Sequence, residues 1–244
     1  GDLEALNEFL NLAKEEQKLL LLVYLVTCFL PDIPHPIPVL YGPQGSSKTT
    51  LARVLRRLID PSAVEVLSLP RSVNDIVQQL SHHWFAFFDN VTGIPAWISD
   101  ALCRAVTGEG FSKRELYSDD DDVIYAFRRC IGLNGINLAA QKPDLLDRSI
   151  LFKLERISRE KRKGEKALWS YFEDKRPQIL GGIFDALSQA ITLRKEVNLA
   201  TVPRMADFTY WGCAVSKALG HTQEEFLDAY YANIGDQNEE AIQE

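Results

Sequence analysis

Short apolar runs alternate along this chain with longer stretches in which apolar residues recur every three or four positions. The runs at 37–41, 63–67, 84–88, 130–134 and 150–154 read as strands. Between them, 48–59, 73–80 and 96–106 read as amphipathic helices. In the first of these, Leu51, Val54, Leu55 and Leu58 share one face. Strands alternating with helices predict an α/β fold, a parallel sheet covered on both faces in three layers. Upstream, 3–13 and 15–30 read as helices, and the stretch PDIPHPIP (31–38) then breaks helix and leads into extended chain. After about Arg159 the strand pattern stops. Helices are expected at 163–175, 178–193, 205–219 and 224–233, the last opened by a capping box of Thr222 and Glu225. The organisation expected is an N-terminal helical segment (1–36), a sheet-containing core (37–159) and a C-terminal helical lid (160–244).

Composition changes this picture little. With 46% hydrophobic and 25% charged residues, the 244-residue chain sits in the ordinary globular class. Its net charge of −7 argues against non-specific duplex binding by bulk charge, although a local basic stripe can override it. The four cysteines (Cys28, Cys103, Cys130, Cys213) are far apart and form no metal-binding pair. The apolar run 19–30 is too short to cross a bilayer, so no membrane partner and a cytoplasmic location are expected. The chain opens Gly1-Asp2, which reads as a piece of a longer protein whose other domains are its partners.

The chemistry concentrates after the first expected strand. YGPQGSSKTTL (41–51) follows an apolar run and opens a helix. Binding a phosphate chain takes inward backbone N–H groups, a helix N-terminus, an ammonium and a hydroxyl for Mg²⁺. Gly42, Pro43, Gln44, Gly45, Ser46 and Ser47 form the loop, Lys48 supplies the charge, Thr49 the magnesium ligand, and Thr50 faces the α-phosphate. The cofactors expected are ATP and Mg²⁺. Ser47 stands where the pattern asks for glycine and adds a Cβ near the phosphates. HHWFAFFDN ends in Asp89, a second holder of Mg²⁺. Asn90 follows; its amide can position water but cannot take its proton. Glu109 is the nearest other carboxylate for that task. His82 and His83, adjacent on extended chain, point to opposite sides and make no metal pair. Asn134, closing CIGLN, can hydrogen-bond the attacking water or the γ-phosphate, with Asn137 a weaker claimant. Arg148 opens the last expected strand, from where it can reach a neighbouring subunit's γ-phosphate or pair with Asp144 or Asp147. Arg204, in VPRM, can fold the lid onto the same phosphate or stay on the surface.

Together, GPQGSSKT, FFDN, LNGIN, DLLDRS and VPRM resemble the Walker A, Walker B, sensor 1, arginine-finger and sensor 2 elements of AAA+ ATPases, across about 37–235. ALCRAVTGEGFSKRELYSDDDDVIYAFRRCIGLNGIN is similar to the helicase part of superfamily 3 primase-helicases of phages, plasmids and poxviruses. Thr107, Gly108, Glu109, Arg114, Leu116 and Tyr117 carry that likeness. The resemblance implies a ring, expected to be a hexamer, that pulls single-stranded DNA through its pore with hairpins. Superfamily 3 usually has a second acid at the position of Asn90, and basic hairpin tips where this chain has Ser118 and Asp119 to Asp122. DNA contact would then fall to Lys113, Arg114, Arg128 and Arg129. The expected activity is an ATP-driven, helicase-like motor of a mobile element, with a slowly hydrolysing nucleotide switch as the alternative.

Overall fold

A computed structural model describes residues 1–114, 122–135, 143–158, 160 and 164–242. Four strands form one all-parallel sheet: β1 (Ile37–Tyr41), β2 (Phe85–Val91), β5 (Cys130–Gly135) and β6 (Ser149–Lys153), in the order β2-β5-β1-β6. A second, two-stranded antiparallel sheet pairs β3 (Phe111–Arg114) with β4 (Asp122–Tyr125), aligning Phe111 with Tyr125 and Arg114 with Asp122. That is the hairpin expected before β5. Its expected tip, including Leu116, Tyr117, Ser118 and Asp119 to Asp121, lies outside the described residues, as does Asn137.

Sequence dictates the sheet closely. The strands of the large sheet are almost wholly buried, and parallel strands covered on both faces read as continuous apolar runs. Pro38 sits inside a central strand, where a missing N–H would cost a ladder bond. Pairing of β1 with β5 begins only at Val39, one residue beyond the proline.

Helices α2 (Lys48–Ile59), α3 (Val73–His82) and α4 (Ala96–Thr107) flank the sheet, α2 packing against β1, β2 and β5. Their starts match the expected positions. Arg56, almost wholly buried, ties α2 to the sheet by pairing with Asp60 at 2.5 Å and donating to the Phe85 carbonyl. It also meets His83 Nδ1 at 2.5 Å, so His83 serves packing, and no cluster of metal-ligating groups occurs among the described residues.

The remaining helices are α1 (Glu15–Thr27), α5 (Pro143–Leu146), α6 (Glu165–Leu193), α7 (Ala206–Ala218) and α8 (Gln223–Ile242). Helix α1 packs on α6, α7 and α8. None of the described helices is long and apolar enough to cross a membrane.

Three expectations are corrected. The strand at 63–67 shrinks to a single parallel bridge between Leu67 and Phe88. Glu65 turns instead toward α2, where Arg53 and Arg57 hold its carboxylate. The helices at 163–175 and 178–193 are one helix, α6, running through Pro177. Burial of Phe172 on one side of the proline and Ile179 and Ile183 on the other keeps the axis continuous despite one missing donor. The first N-terminal helix is a short 3-10 turn (Glu4–Phe9), after which Leu12 bridges Leu154 in extended chain.

Candidate functional site

The loop between β1 and α2 passes through backbone shapes few residues tolerate. Gly42 has φ 146°, and a Cβ there would lie 2.3 Å from the Leu154 carbonyl oxygen, so no side chain fits. Ser47 takes φ 62°, in the left-handed region. A residue bearing a Cβ pays roughly 1–2 kcal/mol there, so Ser47 holds the glycine shape under strain. Among the described residues, no acceptor meets the backbone N–H groups of residues 44 to 49. Unpaired N–H groups at a helix N-terminus form a cradle for an anion.

Lys48 curls back over this cradle. Its Nζ donates to the Gly42 carbonyl at 2.8 Å, the Pro43 carbonyl at 3.0 Å and Ser46 Oγ at 3.3 Å. Burial lowers its pKa and the nearby Asp89 carboxylate opposes that shift. Thr49 Oγ1 donates to Asp89 Oδ1 at 3.0 Å and lies 3.2 Å from Oδ2. Asn134, buried at the end of β5, donates from Nδ2 to Asp89 Oδ1 and accepts the Asn90 N–H at 2.8 Å on Oδ1. One amide thus links the ends of β2 and β5 behind the hydroxyl of α2. Strand β2 is irregular between Phe88 and Val91, and Asn90 turns to φ 55° there. A cleft of about 280 Å³ opens over these groups, lined by loop residues 44–50, Asn90, Val91, Thr92, Asn134 and Gly135. No Asp or Glu is among them.

A second cavity, about 550 Å³, adjoins the loop at Gly45, Ser47 and Thr50. Its other walls are Glu8 to Asn11, Leu154, Ile157 and, from α6, Glu165, Leu168 and Trp169. Sequence reasoning missed these residues because they match no motif and come together only when α6 folds against the core. Trp169 lies under two guanidiniums, Arg57 at 3.9 Å and Arg53 at 4.5 Å from the ring centre. Arg53 also pairs with Glu165 at 2.9 Å, and Arg57 with Glu173 at 2.9 Å.

The remaining candidates gather at the opposite end of the sheet. Ser149 aligns with Ile37, the first residue of β1, and the Arg148 carbonyl accepts the Ile37 N–H at 2.7 Å. Arg148 pairs with the Asp144 carboxylate and donates to the Asp144 carbonyl at 3.0 Å. Arg204 reaches the same Asp144 at 2.7 Å and Asp147 at 3.0 Å. The hydrogen bond from Arg148, with smaller help from other neighbours, lowers the Asp144 pKa to about 2. Neither arginine lines the loop cleft, and the lid does not carry Arg204 there. Glu109 is equally remote: it follows the end of α4, where the Ala105 carbonyl accepts the Arg129 N–H just before β5. That corrects its candidacy as the carboxylate serving its own chain's loop.

Two residues expected to touch DNA have structural work. Arg128 donates to the Asp32 and Thr107 carbonyls, and Arg129 to the Leu80 and Arg128 carbonyls. Both staple loops to the core. Lys113 and Arg114 lie on β3 beside the hairpin tip.

Residues 3–240 match the family model of the actinomycete integrative conjugative element replication protein, RepA type. The chain belongs to this family. Among solved structures, the apo C-terminal region of NrS-1 (305–718) shares the fold, at 12% identity and a TM-score of 0.50. The alignment covers 93% of this chain and 50% of that one, so the chain spans about half of that region. An A-form structure of the region aligns at 13% identity and a TM-score of 0.49, covering 71% and 42%. The JCV helicase, solved with a bound acetamide compound, aligns at 16% identity and a TM-score of 0.41, covering 86% and 67%. No curated protein matches the sequence.

Proposed function

We propose that this replication-family domain binds ATP with Mg²⁺ on the loop after β1 and hydrolyses it to move a DNA strand during replication of an integrative element. One observation carries the reading: Lys48, Thr49, Asp89 and Asn134 converge on a cradle of unpaired N–H groups at the carboxyl end of a parallel sheet. Open parallel sheets bind ligands at that end, where the chain leaves β1 with neighbours on both sides. The donor set fits the group. Backbone N–H groups suit phosphate oxygens, and a threonine hydroxyl beside a carboxylate suits a hard cation.

In this reading Lys48 leaves its loop carbonyls for the β- and γ-phosphate oxygens. Thr49 and Asp89 would hold Mg²⁺, which when bound neutralises charge developing on those oxygens. Asn134 holds Asp89 in place and, with Asn90, orients the attacking water. The cavity walled by Phe9, Leu10, Ile157 and Trp169 takes the nucleoside. Assembly into a ring follows from the superfamily 3 resemblance and from Arg148 lying at the far end of the sheet.

A second reading, tight binding with slow hydrolysis, draws on one specific observation: among the described residues lining the cleft with Asn90, none carries a carboxylate. Steady-state ATPase assays with and without single-stranded DNA separate the two. Stimulation by DNA supports the motor, whereas ATP binding with negligible turnover that ignores DNA supports the switch. Lys48→Ala should abolish ATP binding in isothermal titration, because it removes the one cation lining the cleft among the described residues. Unchanged affinity would remove the site itself.

A further inference from the structure

We infer that Arg204 acts beside Arg148 on the nucleotide of a neighbouring copy of this chain, and that Asp144 and Asp147 hold both guanidiniums until that phosphate arrives. This rests on the ATPase reading above and extends it to a residue expected to serve the lid.

The two arginines come from distant parts of the chain, one at the start of β6 and one just before α7. They nevertheless share the Asp144 carboxylate, and Arg204 takes Asp147 as well. Guanidinium forks match carboxylate and phosphate alike, so a carboxylate here occupies the position a phosphate oxygen would take. Between them lies a cavity of about 170 Å³, walled also by Thr107 and by Met205 and Ala206 at the start of α7. That helix has no side-chain cap.

Position excludes a role on the chain's own loop. Arg148 stands level with the start of β1, whereas the loop leaves its end. Five residues at about 3.3 Å each separate the two levels by roughly 15 Å. Arg204 cannot grip Asp144 and Asp147 and also touch a phosphate held at Lys48. A neighbour docked head to tail, its loop end against this end, brings that phosphate to both arginines at once. The carboxylates are displaceable: Asp144 and Asp147 are 52% and 55% exposed, and ion pairs this open to water contribute little. Arg204 is the open donor, 46% exposed, while Arg148 is 13% exposed.

Mixtures of inactive variants test this. Arg148→Ala, Arg204→Ala and Lys48→Ala should each lose turnover alone, and the two arginine variants should keep wild-type affinity for a fluorescent ATP analogue, which also shows that they fold. Mixing Lys48→Ala with either arginine variant should restore about a quarter of wild-type turnover, because random neighbours place an intact loop beside an intact arginine pair at about one interface in four. Mixing Arg148→Ala with Arg204→Ala should restore nothing, since one neighbour must supply both groups. Recovery in that last mixture would put Arg204 on its own chain's nucleotide and overturn the inference. No recovery of Arg148→Ala with Lys48→Ala, in a wild type that hydrolyses ATP, would instead overturn the trans role of Arg148. A wild type that binds no ATP would overturn the underlying reading. Where turnover is slow, self-association with Mg²⁺ and a non-hydrolysable ATP analogue gives the same answer. Both arginine variants should weaken it equally and the double variant no further; additive losses would overturn the shared site.

Discussion

At the scale of single residues, the surroundings of two polar side chains decide what each can do. In the proposed reaction Asn90 puts an amide where a general base would act, and its backbone is left-handed, φ 55°. Asn and Asp tolerate that conformation better than longer side chains. Asn90→Asp should therefore keep the turn while adding a carboxylate, raising steady-state turnover by about 10-fold or more, against the 10²–10⁴ a general base typically contributes. An unchanged rate would mean that proton removal does not limit the reaction. His35 is buried, with Nε2 2.7 Å from the Thr27 carbonyl and Nδ1 lacking a partner among the described residues. Burial first, and the Arg128 charge after it, lower its pKa to about 4, against an opposing pull from the Thr27 hydrogen bond. The unfolded chain binds this proton below pH 6.5 and the folded chain does not. Stability from His35 is thus complete above pH 6.5 and drains away as pH falls toward 4, by up to about 3 kcal/mol. The melting temperature of wild type should fall relative to that of His35→Gln as pH drops from neutrality to 4; a constant gap would contradict the assignment.

At the scale of elements, the outer edge of β6 is closed along most of its length by side-chain amides, with extended backbone at 11–13 pairing only at its end, where the Ala13 N–H donates to the Lys153 carbonyl at 2.9 Å. Asn233 of α8 accepts the Leu151 N–H at 2.9 Å and donates to its carbonyl at 2.7 Å. Gln237 donates to the Ser149 carbonyl at 2.6 Å, and Gln17 of α1 accepts the Lys153 N–H at 3.2 Å. An open edge invites pairing with another chain, and these amides satisfy it from two helices remote in sequence. Asn233→Ala leaves the buried Leu151 N–H unpaired and its carbonyl with only the longer bond from Gln17 Nε2 at 3.4 Å, so chemical denaturation should show a loss of about 1–3 kcal/mol while nucleotide affinity holds. Nothing in periodicity reveals this seal, because Asn and Gln in a helix ordinarily read as exposed polar positions. The helices themselves were legible. Leu51, Val54, Leu55 and Leu58 do form the buried face of α2, and Thr222 and Glu225 cap α8 reciprocally, the Glu225 N–H donating to Thr222 Oγ1 at 3.1 Å.

At the scale of the whole molecule, α6 joins α2, which follows the β1–α2 loop, to the helical part through the stacked Arg53, Arg57 and Trp169. Trp169 also walls the cavity beside the loop, so ATP binding should change its fluorescence. Trp169→Phe should remove that change and weaken affinity several-fold; a signal that persists in the variant would come from Trp84, Trp97 or Trp211. The sequence by itself determined most of the strands and helices of the core, and which residues form the loop proposed to hold phosphate. Both are local matters: apolar periodicity follows from the burial of adjacent positions, and a loop that presents successive N–H groups needs neighbouring residues of set type. Asp89 and Asn134 were legible for the same reason, each closing an apolar strand. Tertiary structure alone decided what depends on distance. It moved Glu109 to the far end of the sheet, spent Arg128 and Arg129 on carbonyls, reduced the strand at 63–67 to one bridge because Glu65 found two arginines, and set Arg148 and Arg204 on one aspartate. Those outcomes turn on which charges meet after the chain has packed, and spacing along the chain carries no record of that.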